Sequence, residues 1–334
     1  MSGREPLAAI FGCSGPALSG AERAFFRDAD PLGFILFARN CVAPDQVRGL
    51  VAELRGAVGR EAPVLIDQEG GRVARLGPPR WRKYPSARAI AALGPEAARL
   101  GARLIADDLA ALGITVDCMP VLDLPAADAD PIIGDRAYGD RPDAVAALGR
   151  AACEGLLAGG VLPVVKHMPG HGRATVDSHL ALPRVSASLA ALEAHDFAPF
   201  HALAAMPWAM TAHVVYEAID RDNPATLSPR LIAGAIRATI GFDGFLVSDD
   251  LSMAALAGAI GVRARRALEA GCDAVLHCNG RMDEMIETAA AAMPLSAASL
   301  RRLAGGEALR KAALAPFDRR QGELRFAALM GGEG

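Results

Sequence analysis

The stretch Gly159–Gly172, GGVLPVVKHMPGHG, decides the fold. Its opening glycines close an Ala/Leu-rich run with helical spacing, Pro142–Gly160, as a helix stop signal does. The apolar run that follows is short and continuous rather than alternating, the pattern of a parallel strand buried on both faces. It ends abruptly on Lys166 and His167 and passes into a turn-rich segment. Seven further runs behave alike: LAAIFG (7–12), GFILFA (33–38), PVLID (63–67), ITVDCMPVLDL (114–124), AMTAHVV (209–215), GFLVSDD (244–250) and DAVLHCN (273–279). Helical spacing fills the gaps between them, at 45–59, 95–113, 188–205 and 228–241. This alternation predicts an α/β protein, a (β/α)8 TIM barrel. A doubly wound sheet would want a phosphate-binding G-x-G-x-x-G after the first strand, and the chain has FGCSGPALSG there.

Nothing in the composition divides the chain, so the barrel is expected to occupy residues 1–334 as a single domain. Helical closure is expected from Met285 onward, with a frayed tail at 330–334. Hydrophobic residues make up 52% and charged residues 22%, which describes a core-rich globular chain and excludes disorder. A net charge of −3 with no basic run argues against a nucleic-acid or anionic-membrane partner. No apolar run approaches the roughly 20 residues of a membrane span. The start, MSGREPLAAIFGCSG, lacks the pattern of a secretory leader. The six cysteines are scattered without a C-x-x-C and read as reduced thiols, pointing to the cytoplasm.

In such barrels the chemistry sits where strands end and loops begin. Asp67 ends the third strand, Asp123 the fourth, Lys166 and His167 the fifth, His213 the sixth and Asn279 the eighth. The seventh runs straight into Asp249 and Asp250. One aspartate there caps the following turn, a duty assigned to Asp250, which leaves Asp249 as a nucleophile. Asp177 and His179 stand two apart in a turn-rich segment and can project to one side. The carboxylate then orients the ring and stabilises its imidazolium form, as a general acid that later becomes a base requires. A bond that merely holds the turn is the alternative. A metal site built from His167, His171 and His179 with His213 or Asp249 also competes, although no H-E-x-x-H is present.

The motif K-H-M-P-G-H-G, four residues, then D-S-H resembles the signature of bacterial β-N-acetylglucosaminidases of glycoside hydrolase family 3, usually K-H-F-P-G-H-G-x4-D-S-H. LIDQEGGRVARL (65–76), GITVDCMPVLDL with IGDRAYG (113–139), MTAHVVY with PATLS (210–228) and VSDDLSM (247–253) are similar to further family blocks in the same order. Together they span about residues 60 to 280. The resemblance implies a barrel that works without metal or other cofactor, by a retaining, two-step mechanism. It implies Asp249 as nucleophile, His179 as acid/base and Asp177 as its dyad partner. Asp67, Arg75, Arg136, Lys166 and His167 match sugar-binding positions, although Arg136 could equally hold its loop by a salt bridge, as Arg72 is expected to do. His213 and Asp123 are expected to be scaffold at the barrel mouth, and His171 to serve the turn. Met168 replaces the usual phenylalanine.

The implied substrate is the terminal N-acetylglucosamine of 1,6-anhydro-muropeptides in cell-wall recycling, handled by a monomer or weak homo-oligomer with no nucleic-acid or membrane partner. A phosphorylase using the same residues is the alternative, and a metal-dependent hydrolase or a sugar-binding barrel is an alternative of another class. The β-glucosidase branch of the family typically reads S-D-W where this chain reads S-D-D-L.

Overall fold

A computed structural model describes residues 5–127 and 129–331. Its centre is a closed barrel of eight parallel strands: β1 (Leu7–Phe11), β2 (Pro31–Leu36), β3 (Val64–Ile66), β4 (Val116–Asp117), β5 (Leu162–Met168), β6 (Trp208–Thr211), β7 (Phe245–Asp250) and β8 (Ala274–His277). Each strand pairs with its neighbours in sequence, and β8 closes onto β1 with Phe11 opposite His277. This is the (β/α)8 barrel that the alternation predicts.

Inward side chains such as Leu65, Val164, Met210, Val247 and Leu276 fill the barrel, and Trp208 packs on Phe245 with ring centroids 4.5 Å apart. A larger apolar layer lies between strands and helices. Pro44, Pro95 and Pro142 open the helices Pro44–Val58, Pro95–Ala110 and Pro142–Ala158, where the missing N–H costs nothing and φ is already set. Helices Met282–Ala291, Ala297–Ala313 and Arg319–Leu329 provide the expected C-terminal closure. Leu295, Leu300 and Leu303 seal the barrel interior at its lower end. Of the expected frayed tail, Met330 and Gly331 turn off the last helix, and 332–334 lie outside the described residues. Among the described residues no helix is long and apolar enough to cross a membrane.

Two expected elements differ. The predicted strand 114–124 is regular only at Val116–Asp117. The Met119 amide turns back to the Asp117 carbonyl at 2.8 Å, which shifts the register. Bonding to β5 continues past it, the Met119 and Pro120 carbonyls accepting from Val164 and Lys166 at 3.0 and 3.2 Å and the Leu122 amide donating to the Lys166 carbonyl at 2.8 Å. The predicted helix 188–205 is broken into Leu189–Ala191, a wide turn at Leu192–Asp196 and Ala198–Ala202. Pro199 cannot supply the hydrogen bond a continuous helix needs there.

The glycines of PGHG are required by close approach. A side chain at Gly172 would place its Cβ 2.0 Å from the Leu124 carbonyl oxygen, and Gly170 has φ +139°. The loop after β5 is thereby laid directly on the segment after β4.

Candidate active site

The upper mouth of the barrel holds a cleft of about 250 Å³, below the roughly 300–1,000 Å³ of sites for drug-sized ligands. It suits one small ring better than a long chain. Its floor is built from β3, β5 and their extensions. Along an extended chain residues two apart share a face, so Asp67 and Glu69 follow Leu65 inward. Lys166, 2% exposed, places Nζ 2.9 Å from Asp67 Oδ1 and 2.7 Å from Glu69 Oε1. Arg75 donates to Asp67 Oδ2 at 2.9 Å, and Arg136 forks onto both oxygens of Glu69 at 2.9 and 2.8 Å.

Burial alone would push both carboxyls up, but Lys166 and the two guanidinium groups outweigh it and hold them below the ordinary range. Burial would likewise drive Lys166 towards neutrality, and the two carboxylates reverse that. The floor is therefore fully ionised and internally matched. Gln68, between the two acids, faces the other way. Its Oε1 accepts from the Arg75 and Leu76 amides, each at 2.9 Å, which fixes the return strand that presents Arg75. The Gln68 amide donates to Asp117 Oδ1 at 2.9 Å.

Asp123, fully buried after β4, organises the next wall. It takes the His167 ring Nδ1 at 2.7 Å on one oxygen and the His171 backbone amide at 2.7 Å on the other. Burial would raise its pKa, and the two histidines bring it below the usual range. Burial pushes His171 down to about 4, so its ring is neutral, with Nε2 3.1 Å from the Ser178 hydroxyl.

From β7, Asp249 reaches the cleft partly exposed, while the Asp250 carboxylate accepts from the Ser252 amide at 3.0 Å and the Ser252 hydroxyl at 2.6 Å. Asp250 thus caps its turn. Burial raises the Asp249 pKa, but His213 and His167 nearby bring it below the ordinary value, so the carboxylate is ionised. His213 is held between the Thr226 hydroxyl at 2.7 Å and the Asp250 carbonyl at 2.9 Å. The remaining wall is the loop after β5. There the His179 Nδ1 lies 2.8 Å from Asp177 Oδ1, which also accepts the His179 amide at 2.8 Å. Despite some burial, these bonds hold Asp177 below the usual carboxylate range.

The fold thus brings Asp67, Arg75, Arg136, Lys166, His167, His179 and Asp249 to one cleft, with Asp177 behind His179. Arg136 both lines the cleft and anchors its loop to Glu69, while Arg72 pairs with Asp135 at 3.0 Å on the rim. Sequence reasoning missed Glu69, although its place two residues after Asp67 carried the signal. It also missed Phe37, whose ring lies 5.0 Å from the Arg75 guanidinium. Among the described residues no group of three or more His, Cys, Asp or Glu side chains is arranged to hold a metal ion. His167 and His171 are instead spoken for by Asp123 and Ser178.

Residues 19–304 match the glycosyl hydrolase family 3 N terminal domain. The chain belongs to glycoside hydrolase family 3. It is 42% identical over 283 residues to a beta-hexosaminidase of Alkalilimnicola ehrlichii, a match covering 81% of this chain and 80% of that protein. A beta-hexosaminidase of Pseudomonas aeruginosa is 39% identical over 282 residues, covering 83% of each. NagZ from Neisseria gonorrhoeae in complex with N-trifluoroacetyl-D-glucosamine superposes with a TM-score of 0.86 at 32% identity, covering 98% of this chain and 99% of that one. This glycoside hydrolase therefore carries two carboxylate systems with different surroundings. One is locked into the floor by cations, and the other, Asp249, faces the cleft with no salt-bridge partner among the described residues.

Proposed function

We propose that this family 3 glycoside hydrolase is a retaining exo-β-N-acetylglucosaminidase, with Asp249 as nucleophile and His179, backed by Asp177, as acid and base. In the first step an Asp249 oxygen attacks the anomeric carbon as the glycosidic C–O bond breaks. His179 Nε2 gives its proton to the departing oxygen. In the second step water attacks the same carbon, His179 Nε2 takes a water proton, and the Asp249 carboxylate is released. Imidazole replaces the second carboxyl group of the usual pair, so the base adds no negative charge beside the attacking water.

One observation carries this reading. An ionised Asp249 and an imidazole with Nδ1 already committed to Asp177 line the same small cleft, leaving Nε2 for the substrate. Asp67, Arg75, Arg136, Lys166 and His167 hold the sugar: the carboxylate accepts from hydroxyls, and the cations donate to ring substituents and the acetamide carbonyl. The N-acyl glucosamine in the NagZ complex and the names of the relatives support N-acetylglucosamine as that sugar. The family resemblance supports N-acetylglucosaminyl-1,6-anhydro-muropeptide, cleaved in the cytoplasm during cell-wall recycling, as the substrate, and a cleft that suits one sugar ring is compatible with it.

The test is product analysis on an aryl β-N-acetylglucosaminide, with and without phosphate, followed by NMR. The β-anomer of free N-acetylglucosamine should appear first and phosphate should not change the product. A sugar 1-phosphate would establish a phosphorylase instead, and initial α-anomer would overturn retention.

A further inference from the structure

In Asp177–Ser178–His179 the outer residues form the dyad, while the middle one is buried. The His179 side chain is 59% exposed and Ser178 only 4%. The Ser178 hydroxyl lies 3.1 Å from His171 Nε2, and its carbonyl accepts the Ala255 amide at 3.2 Å. Ala255 belongs to the loop that follows Asp249 and Asp250 on β7. His171 in turn is seated by its backbone amide on Asp123, which also holds His167. One serine therefore ties the exposed loop both to the nucleophile strand and to the wall that carries His167.

We propose that Ser178 is a positioning residue for the acid/base dyad: its hydroxyl, latched to His171, sets the register in which Asp177 presents His179 to the cleft. The inference rests on His179 being the acid and base. Burial pushes the His171 pKa down to about 4, so the latch at neutral pH joins two uncharged groups. Replacing the hydroxyl by hydrogen leaves the carbonyl bond to Ala255, the Asp123 cluster and the sugar-binding floor in place. Ser178→Ala therefore isolates the latch.

The experiment compares Ser178→Ala, Ser178→Thr and His179→Ala on two substrates, an alkyl and a 2,4-dinitrophenyl β-N-acetylglucosaminide. Because kcat/KM reports the first displacement, a displaced acid hurts only the substrate whose leaving group needs a proton. Ser178→Ala should lose about tenfold or more in kcat/KM on the alkyl glycoside and less than about threefold on the dinitrophenyl one. Its kcat on the dinitrophenyl glycoside should fall through slow water attack and recover with azide, a nucleophile that needs no base. Ser178→Thr, which keeps the hydroxyl, should recover most of the alkyl activity. Equal losses on both substrates, or none, beside a His179→Ala that shows the split, would refute the latch while sparing the dyad. If His179→Ala itself shows no split, the acid/base assignment fails and the latch falls with it.

Discussion

The floor of the cleft and the loop over it solve opposite problems. In the floor, Lys166 and Glu69 are nearly inaccessible, and every charge faces a counter-charge within hydrogen-bond distance. In the loop, an imidazole more than half exposed has one carboxylate for company. On the proposed reading the floor always meets the same sugar and gains from rigidity, because preformed polar contacts lose no orientation on binding. In its proposed role the imidazole must first meet a departing aglycone and then a water, and its place at the solvent edge suits both. Removing a charge from the buried set strands its partners in a dry environment, whereas trimming the loop exposes nothing. Floor changes should therefore cost folding as well as binding, and loop changes should cost chemistry alone.

Asp249→Ala should have the largest effect, lowering kcat on an aryl glycoside by about 10⁴-fold or more, because no other group can form the covalent intermediate. Its melting temperature should fall less than that of a floor variant, since Asp249 has no ion-pair partner in the floor and gives up only its bond to the Asp250 amide and the field of His213 and His167. Activity surviving in that variant would remove the assignment. Next comes His179→Ala, with a loss of about 10²–10⁴ on an alkyl glycoside. The side chain is exposed, so calorimetry should show an unchanged transition. Lys166→Met should do the reverse in kind. It leaves Asp67 and Glu69 facing each other without their shared cation, a loss of about 3–5 kcal/mol and of several degrees in Tm. The contrast between floor and loop breaks if His179→Ala melts as early as Lys166→Met.

Much of this was legible in the sequence because it is local. A continuous apolar run that ends on a polar residue marks both a buried parallel strand and its functional end, which is why Asp67, Lys166 and Asp249 stood out. Asp177 and His179 are two residues apart, and their bond follows from turn geometry alone. The hidden parts depend on distant partners or on broken regularity. ITVDCMPVLDL looks like one strand until the Met119 amide turns back on the Asp117 carbonyl and shifts the ladder. The spacing of 188–205 is helical until Pro199 removes a donor. Glu69 needed only the two-residue period already applied to the dyad. The Ser178–His171 bond joins loop residues that share no period, so only the folded turn, packed through Gly170 and Gly172, brings them together.

The last effect expected is a slope, modest over any one pH unit, and it separates the floor from the carboxyl behind it. Asp117 ends β4, accepts the Gln68 amide on one oxygen and has no hydrogen-bond partner for the other among the described residues. Burial raises its pKa to about 8; the Gln68 amide and Lys166 act against that, and Asp67 and Glu69 add to it. In the unfolded chain the same group titrates near ~3.9. A folded pKa above the unfolded one contributes stability that is complete below the unfolded value and is lost as pH rises towards the folded one. Asp67 and Glu69 have the opposite sign: their folded values are depressed, so their contribution is present at neutral pH and disappears in acid. Asp117→Asn keeps an oxygen for the Gln68 amide and cannot ionise. Between pH 5 and 8 wild type should therefore lose stability relative to the variant, by at most about 1.4 kcal/mol per pH unit, and the gap should level off over about the next pH unit. Denaturant melts across that range measure it directly. A gap independent of pH would mean that Asp117 is ionised in the folded protein, and the floor would then hold three buried carboxylates against Lys166, Arg75 and Arg136.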